Sequence, residues 1–116
     1  MTEIEFYRTG AGRCPVTDFL DDLTANQAKK VTWVLRLISE MEQVPAQYWK
    51  KLSHTEDIWE ARVTFGRDTF RLLGFFAASD RIVFTNGFQK KSQKTPRSEI
   101  DVAEQRKKDY EHRSNS

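Results

Sequence analysis

Three apolar segments with only three residues between neighbours constrain the fold more than any other feature of this sequence. The segments are IWEARVTF (58–65), TFRLLGFFA (69–77) and RIVFTNGF (81–88), and they are separated by GRD and ASD. Connections this short join antiparallel neighbours, because a parallel crossover takes a dozen or more residues. The sequence therefore predicts an antiparallel meander of three strands.

Side chains alternate along the first two segments, and this alternation predicts the two faces of the sheet. One face takes the apolar set Trp59, Ala61, Val63, Phe65, Phe70, Leu72 and Phe76. The other takes Glu60, Arg62, Thr64, Thr69 and Arg71, together with Leu73 and Phe75. We expect the first face to meet the helices and the second to be a mixed surface that carries the arginines.

The N-terminal part predicts one strand and two helices. EIEFYR (3–8) alternates like a short edge strand, and Pro15 suits the first turn of a short amphipathic helix. A capping box from Thr24 to Gln27 starts a second helix over residues 26–43. Its apolar stripe contains Val31, Val34, Leu35, Ile38 and Met41, with Trp33 and Leu37 widening it. We expect the two helices to pack as an antiparallel hairpin on one face of the sheet.

The C-terminal part predicts a last helix. Thr95 can cap this helix, with Pro96 at its first position. Its apolar side contains little more than Ile100 and Ala103, so its attachment is expected to be weak. Residues 111–116 are expected to be a disordered tail.

These elements together predict an α+β fold in one domain over residues 1–116, with a small antiparallel sheet of about four strands. The single Cys14 cannot form an internal disulfide, and two histidines form no cluster at zinc-ligand spacing, so we expect neither a metal nor a cofactor. The longest strongly apolar run, LLGFFAA (72–78), is far shorter than the roughly 18 residues of a membrane span. We therefore expect a cytoplasmic protein with no membrane partner.

Positive charge is concentrated in the middle of the chain. Residues 1–48 hold five Lys and Arg against seven Asp and Glu, residues 49–98 hold ten against five, and residues 99–116 hold four against five. The three segments thus carry −2, +5 and −1, which sum to the net charge of +2. Concentrated positive charge favours a polyanion as the partner, although an ordinary solvated surface remains the alternative.

The run GFQKKSQKTPR (87–97) contains four cations and no acid. If RIVFTNGF is the last strand, Lys90 and Lys91 leave its end beside the face that carries Arg62 and Arg71. Without acids to pair them, these four cations, Arg62, Arg71, Lys90 and Lys91, repel one another, and a bound phosphate would offset this cost. The sequence therefore predicts a phosphate-binding surface where these four side chains converge.

Other polar and aromatic side chains are weaker candidates. Glu60 could pair with Arg62 in a surface ion pair, which would explain that arginine without a ligand. His54 is a candidate general base, because histidine readily exchanges protons near neutral pH. We expect Lys50, Lys51 and Lys94 to be solvated charges or general phosphate contacts. Bases could stack on Tyr48, Trp49 and Trp59, but Trp59 lies in the apolar phase of its strand and is expected in the core.

The sequence resembles the RelE/HigB-type toxins of bacterial type II toxin-antitoxin systems, and most of all their phage-derived branch. The resemblance covers residues 3 to about 110 and depends on the strand-helix-helix beginning, KKLSHTEDIWEARV, TFRLLGFF and IVFTNGFQKKSQKTPRSEIDVAEQR. The most specific pieces, in order, are Leu52, Trp59, Glu60, Arg62, Arg71 and the block from Gly87 to Pro96.

This resemblance implies a metal-independent endoribonuclease that cleaves mRNA in the A site of the 30S ribosomal subunit and so inhibits growth. The 2′-hydroxyl attacks the adjacent phosphorus and leaves a 2′,3′-cyclic phosphate and a 5′-hydroxyl. Arg62 and Arg71 correspond to the groups that brace the phosphate, and Lys90 and Lys91 to groups for proton transfer or charge stabilisation. The RNA-binding candidates are then Lys50, Lys51, Lys94 and Arg97.

The resemblance leaves the general base unassigned and implies a protein partner. Many relatives have a tyrosine or histidine near the end of the chain or the last strand, whereas this sequence offers Gln89 and Ser92, and His54 is a possible replacement. The partner would be a cognate antitoxin, a small helix-turn-helix DNA-binding protein. Two alternatives stay open: a ParE-like poison of DNA gyrase, and a basic RNA-binding module without catalysis. ParE-like proteins generally do not need the arginine-lysine set, which weighs against the first alternative.

Overall fold

The computed structural model describes residues 1–91 and 93–114, and it confirms the predicted α+β class. In these residues, five strands and three helices follow in the order β1 (Glu3–Phe6), α1 (Pro15–Asp21), α2 (Ala25–Glu40), β2 (Trp49–Lys51), β3 (Trp59–Phe65), β4 (Asp68–Ala78), β5 (Arg81–Gln89) and α3 (Arg97–Ser114). The strands form one sheet in the order β1-β5-β4-β3-β2.

The predicted meander forms the centre of this sheet. Strands β3, β4 and β5 pair antiparallel, and Gly66 in the first turn adopts a φ of 61°, a conformation that favours glycine. Two features differ from the predicted antiparallel sheet of about four strands. The edge strand β1 runs parallel to β5, and β2 adds a further strand beside β3. Strand β2 was missed because it is only three residues long, too short to show an alternation.

Helices α1 and α2 cover one face of the sheet and bury the larger core. This core contains Val16, Val31, Val34, Leu35, Ile38, Trp49, Ala61, Val63, Phe70, Leu72, Ile82 and Phe84. The capping box at the start of α2 is present, because the Thr24 hydroxyl accepts from the Gln27 backbone N–H at 3.2 Å and the Gln27 side chain accepts from the Thr24 N–H at 2.9 Å. The prediction of α2 and of its buried stripe is therefore confirmed in outline.

Two members of the predicted stripe are not in the core. Helix α2 ends at Glu40, so Met41 lies beyond it and is largely exposed. Trp33 lies within α2 but keeps 43% of its surface exposed. Its ring contacts the ring of Tyr48, at 5.9 Å between centroids, on the outer side of the helix. The prediction that Trp33 widens the buried stripe is therefore wrong.

Helix α3 lies on the opposite face and covers a smaller core of Tyr7, Ile58, Leu73, Phe75, Val83, Ile100 and Ala103. Polar contacts add to its few apolar ones: the Tyr7 hydroxyl donates to Asp109 at 2.6 Å, and Arg106 donates to the Thr85 carbonyl at 2.8 Å. The helix begins at Arg97, and the Thr95 hydroxyl donates to Glu60. Residues 111–114, assigned to a tail from the sequence, are helical, and residues 115 and 116 lie outside the described part.

Candidate functional site

Arg62 and Arg71 are direct neighbours on the face of the sheet that α3 partly covers. The strand register pairs Arg62 of β3 with Arg71 of β4, so their side chains leave the same face. The two differ in environment, because Arg71 is only 6% exposed whereas Arg62 is half-buried. The strand pairing alone thus brings two guanidinium groups together, one of them nearly in the protein interior.

Lys90 and Lys91 follow β5 and lie beside Arg71. The Lys90 backbone N–H donates to the Thr69 carbonyl at 2.7 Å, which holds the segment after β5 against the start of β4. An open cleft of about 410 Å³ is lined by Thr69, Arg71, Lys90, Lys91 and Gln93. We call this the basic cleft. It contains three of the four cations that the sequence predicted to converge, and Arg62 is paired with Arg71 next to it.

Glu60 places a buried carboxylate among these cations. Its side chain is 1% exposed, and its Oε1 accepts from Arg71 Nη1 and, at 3.4 Å, from Arg62 Nε. Its Oε2 accepts from the Thr95 hydroxyl. The expectation of four cations without an acid is therefore wrong. The alternative of a Glu60–Arg62 ion pair is present as a contact, but Glu60 is buried and also binds Arg71, so it is not a plain surface pair. Four cations and one carboxylate still leave the group with a net charge of +3.

The guanidinium of Arg71 has hydrogen-bonding capacity that no protein group fills. Its Nε is buried and has no hydrogen-bond partner among the described residues. Buried polar groups in folded proteins almost always have a partner, and an unsatisfied one costs about 1–3 kcal/mol. Arg71 thus combines a fixed position, set by Glu60, with an N–H group that lacks an acceptor.

The surroundings of the cleft lower the pKa of Lys90. Burial is the main cause, and the neighbouring charges of Arg71 and Arg62 lower it further, while Glu60 acts in the opposite direction. Burial likewise lowers the pKa of Arg71, opposed by Glu60. A lysine with a lowered pKa can exchange a proton closer to neutral pH than an ordinary lysine can. Lys90 is therefore the side chain in the cleft best suited to move a proton.

The remaining sequence candidates lie outside the lining of the basic cleft. His54 is exposed in the loop between β2 and β3, and its carbonyl accepts from Arg97 Nη1 at 3.4 Å. Arg97 itself forms ion pairs of 2.9 Å with Asp101 and with Glu104. The structure thus gives Arg97 a clear role in holding the start of α3.

The other lysines differ in their surroundings. Lys51 pairs with Asp57 at 2.8 Å, and Lys94 is exposed. Lys50 is exposed on β2, opposite Glu60 in the strand register, so it faces the same side of the sheet as Arg62. Lys50 is therefore the RNA-binding candidate nearest to the arginine pair in register. Ser92, named in the comparison with relatives, lies outside the described residues.

The aromatic candidates divide between the core and the surface. Trp49 is buried in the larger core and stacks on Trp59, with 5.3 Å between ring centroids. Trp59 is half-buried and packs against this core, so the expectation that it lies in the core is confirmed in part. Tyr48 is half-buried next to Trp33.

Sequence reasoning missed how Glu60 and Thr95 take part in the site. Arg62 was the one partner suggested for Glu60, and capping a helix was the one role suggested for Thr95. The alternation of β3 places Glu60 and Arg62 on one face, but its contact with Arg71 depends on the register between β3 and β4. No local signal relates Thr95 to Glu60, because 35 residues separate them.

No three His, Cys, Asp or Glu side chains in residues 1–91 and 93–114 lie together as a group that could hold a metal ion. None of the helices in the described part of the chain is long and apolar enough to cross a membrane.

Comparison with known proteins identifies a family. The family described as phage-derived protein Gp49-like (DUF891) matches residues 18–108, which include the end of α1, all of α2, the whole meander and the basic cleft. No curated protein matches the chain. Because the match covers most of the sequence, the chain belongs to the Gp49-like family of phage-derived proteins, a toxin-like family related to the RelE/HigB-type toxins.

Proposed function

We propose that this protein is the toxin of a toxin-antitoxin system and acts as a metal-independent endoribonuclease that cleaves mRNA on the ribosome. Membership of a toxin-like family supports the toxin role. The basic cleft and the adjacent Arg62 support the choice of a phosphodiester as the substrate, because two arginines and two lysines lie together there with Glu60 as their one carboxylate. Because the proposed substrate is mRNA on the ribosome, we propose that the reaction takes place in the cytoplasm.

The proposed reaction needs three things from the protein. A base takes the proton of the 2′-hydroxyl while the O2′–P bond forms, fixed positive charge stabilises the phosphorane, and an acid protonates O5′ as the P–O5′ bond breaks. The products are a 2′,3′-cyclic phosphate and a 5′-hydroxyl. Arg71 and Arg62 supply planar, permanently charged groups for the phosphorane, the former held in place by Glu60.

Lys90 is the proposed proton-transfer group, and Lys91 adds positive charge at the mouth of the cleft. Lys90 lies beside Arg71 and has a lowered pKa, as a base requires. His54 lies in an exposed loop, so we assign it no part in the reaction.

The observation that carries this proposal is the buried Arg71 in the wall of a basic cleft, with its Nε lacking an acceptor. An arginine that served only to neutralise Glu60 would not need three further cations beside it. A phosphate in the cleft would supply the negative charge that the group lacks.

The decisive experiment compares substitutions in the cleft with one outside it. We expect Arg71→Ala to lower mRNA cleavage on ribosomes by a hundredfold or more in order of magnitude, and Arg71→Lys to restore it only in part. Lys90→Ala should lose cleavage without loss of folding, because the Lys90 side chain forms no hydrogen bond or ion pair with the residues that the structure describes. Arg13→Ala, which removes an exposed charge paired with Asp18 at 3.5 Å, is the matched control.

Primer extension on messages after induction measures the outcome. The proposal is supported if mRNA cleavage ends aligned with codons are absent in the cleft variants and persist in Arg13→Ala. The proposed site would be wrong if Arg71→Ala and Lys90→Ala are folded, still cleave mRNA and still arrest growth. Broken DNA without such message ends would instead identify a gyrase poison.

The proposed partners follow from the proposed function. They are mRNA, the A site of the 30S ribosomal subunit, and a cognate antitoxin that is a small helix-turn-helix DNA-binding protein. We propose that the antitoxin either blocks the basic cleft or displaces α3, whose start is linked to Glu60 through Thr95.

A further inference from the structure

Trp33 is an exposed aromatic ring in the middle of a helix. It keeps 43% of its surface exposed although its ring contacts Tyr48 and lies under Lys30, with 4.5 Å from Lys30 Nζ to the ring centroid. Burial of a large ring stabilises a fold, so an exposed tryptophan gives up a substantial part of that stabilisation. An exposed ring with a cation against it is typical of a surface that binds a ligand.

Three cations surround Trp33 on α2. Lys29, Lys30 and Arg36 lie three or four positions from it, the spacing of neighbours on a helix surface. Among the described residues, neither Lys29 nor Arg36 forms an ion pair or a hydrogen bond, and both are exposed. The one acid of α2 is its last residue, Glu40. By contrast, Arg97 on α3 is held by two carboxylates.

This surface lies on the other side of the sheet from the basic cleft. Helix α2 covers the face of the larger core, whereas Arg62 and Arg71 leave the opposite face. The sheet and a helix of about 10 Å in diameter therefore separate the two. A ligand on α2 cannot be the phosphodiester in the cleft, and the two surfaces must bind different segments.

We propose that the outer face of α2 binds a second segment of single-stranded RNA, with one unpaired base stacked on Trp33 and flanking phosphates on Lys29 and Arg36. An exposed ring supplies the stacking platform, and cations one helical turn away supply the backbone contacts. The charge of three cations against one carboxylate fits a polyanion. The inference rests on the proposed function in that RNA is the ligand of both surfaces.

The test uses the Lys90→Ala protein, so that the RNA stays intact, and a short labelled oligoadenylate as the probe. Trp33 is the most exposed of the three tryptophans, since Trp49 is 6% exposed and Trp59 is half-buried, so quenching by the probe that is absent in Trp33→Ala reports on Trp33. We expect quenching on titration. The Trp33→Ala variant, followed by anisotropy of the probe, should bind on the order of tenfold more weakly, as expected for loss of one stacked base.

Salt dependence identifies the phosphate contacts. Loss of one phosphate contact makes the fall of log affinity with log salt concentration shallower by about 0.7 for a single strand. Lys29→Ala and Arg36→Ala should therefore each reduce the magnitude of the slope by about this amount. Both side chains are exposed and form no ion pair or hydrogen bond with residues 1–91 or 93–114, so neither variant should affect folding. Lys108→Ala removes an exposed lysine from α3, on the opposite face, and should leave the slope unchanged.

Three results would overturn the inference. The first is no quenching by oligoadenylate. The second is an equal loss of slope in Lys108→Ala, which would mean general attraction rather than a site. The third is an antitoxin that shields Trp33 from a neutral quencher while RNA does not, which would make this face a protein interface. Message cleavage by the wild-type protein is scored separately, so loss of the α2 surface and loss of the proposed function give different results.

Discussion

Glu60 and Arg71 form a buried ion pair although eleven residues separate them in the chain. The carboxylate fixes Nη1 of the guanidinium, and Arg62 and Thr95 donate to the same carboxylate from β3 and from the segment before α3. One side chain thereby connects three parts of the chain around the basic cleft. Its removal should affect both the stability of the fold and the charges of the cleft.

Glu60→Gln should lower the free energy of unfolding more than loss of an exposed acid does. Loss of one partner from a buried pair costs about 3–5 kcal/mol, and glutamine, which keeps one acceptor oxygen, should cost less than alanine. Asp18→Asn, which breaks an exposed pair with Arg13, is the control and should cost about 0–1 kcal/mol. Urea denaturation measures both values. Equal values for the two variants would mean that Glu60 does not anchor the cleft.

The pH dependence of cleavage should move when Glu60 loses its charge. If Lys90 is the base, the rate rises with pH through the pKa of Lys90, because the neutral amine is the active form. Glu60 is the neighbour that raises this pKa, so Glu60→Gln should lower it further and move the rising limb to lower pH. Rate profiles of wild type, Glu60→Gln and Asp18→Asn check this. If the rate of Glu60→Gln rises over the same pH range as that of the wild type, Lys90 is not the base.

The sequence was informative where structure depends on neighbours in the chain. The meander, the capping box at Thr24 and the buried stripe of α2 follow local patterns, and all three are present. The parallel pairing of β1 with β5 and the contact of Glu60 with Arg71 depend on register between distant segments. Trp33 was misplaced because helical periodicity does not show where the edge of the buried stripe lies.

Thr95→Val should destabilise the protein through the Glu60 carboxylate. Valine keeps the shape of threonine but cannot donate to Glu60, and a hydrogen bond to a charged group contributes about 1.5–3 kcal/mol. Thr32→Val is the matched control, because the Thr32 hydroxyl donates at 2.9 Å to the Ala28 carbonyl on an exposed part of α2. Denaturation of the two variants should give a larger loss for Thr95→Val, and a loss no greater than that of the control would contradict this role.

Gly74→Ala should strain the sheet behind the cleft. A Cβ at this position would lie 2.6 Å from the Val83 carbonyl oxygen, a backbone atom of β5 that cannot move without shifting the strand. Overpacking of this kind costs about 1–3 kcal/mol. Gly10→Ala, where nothing lies within 4 Å of the added atom, is the control and should change stability little. Thermal melting of both variants tests the expectation, which a Gly74→Ala protein as stable as Gly10→Ala would refute.

Helix α3 should open more easily than the sheet beneath it, because polar contacts supply much of its attachment. Tyr7→Phe removes the hydrogen bond to Asp109, which should speed amide exchange of residues 97–110 by roughly tenfold or less. The control is Tyr48→Phe, since the Tyr48 hydroxyl forms no hydrogen bond among the described residues and lies beside α2. If the antitoxin displaces α3, adding it to the wild-type protein should speed exchange of the same residues. Unchanged or slower exchange there, with the antitoxin bound, would show that inhibition does not work by displacing α3.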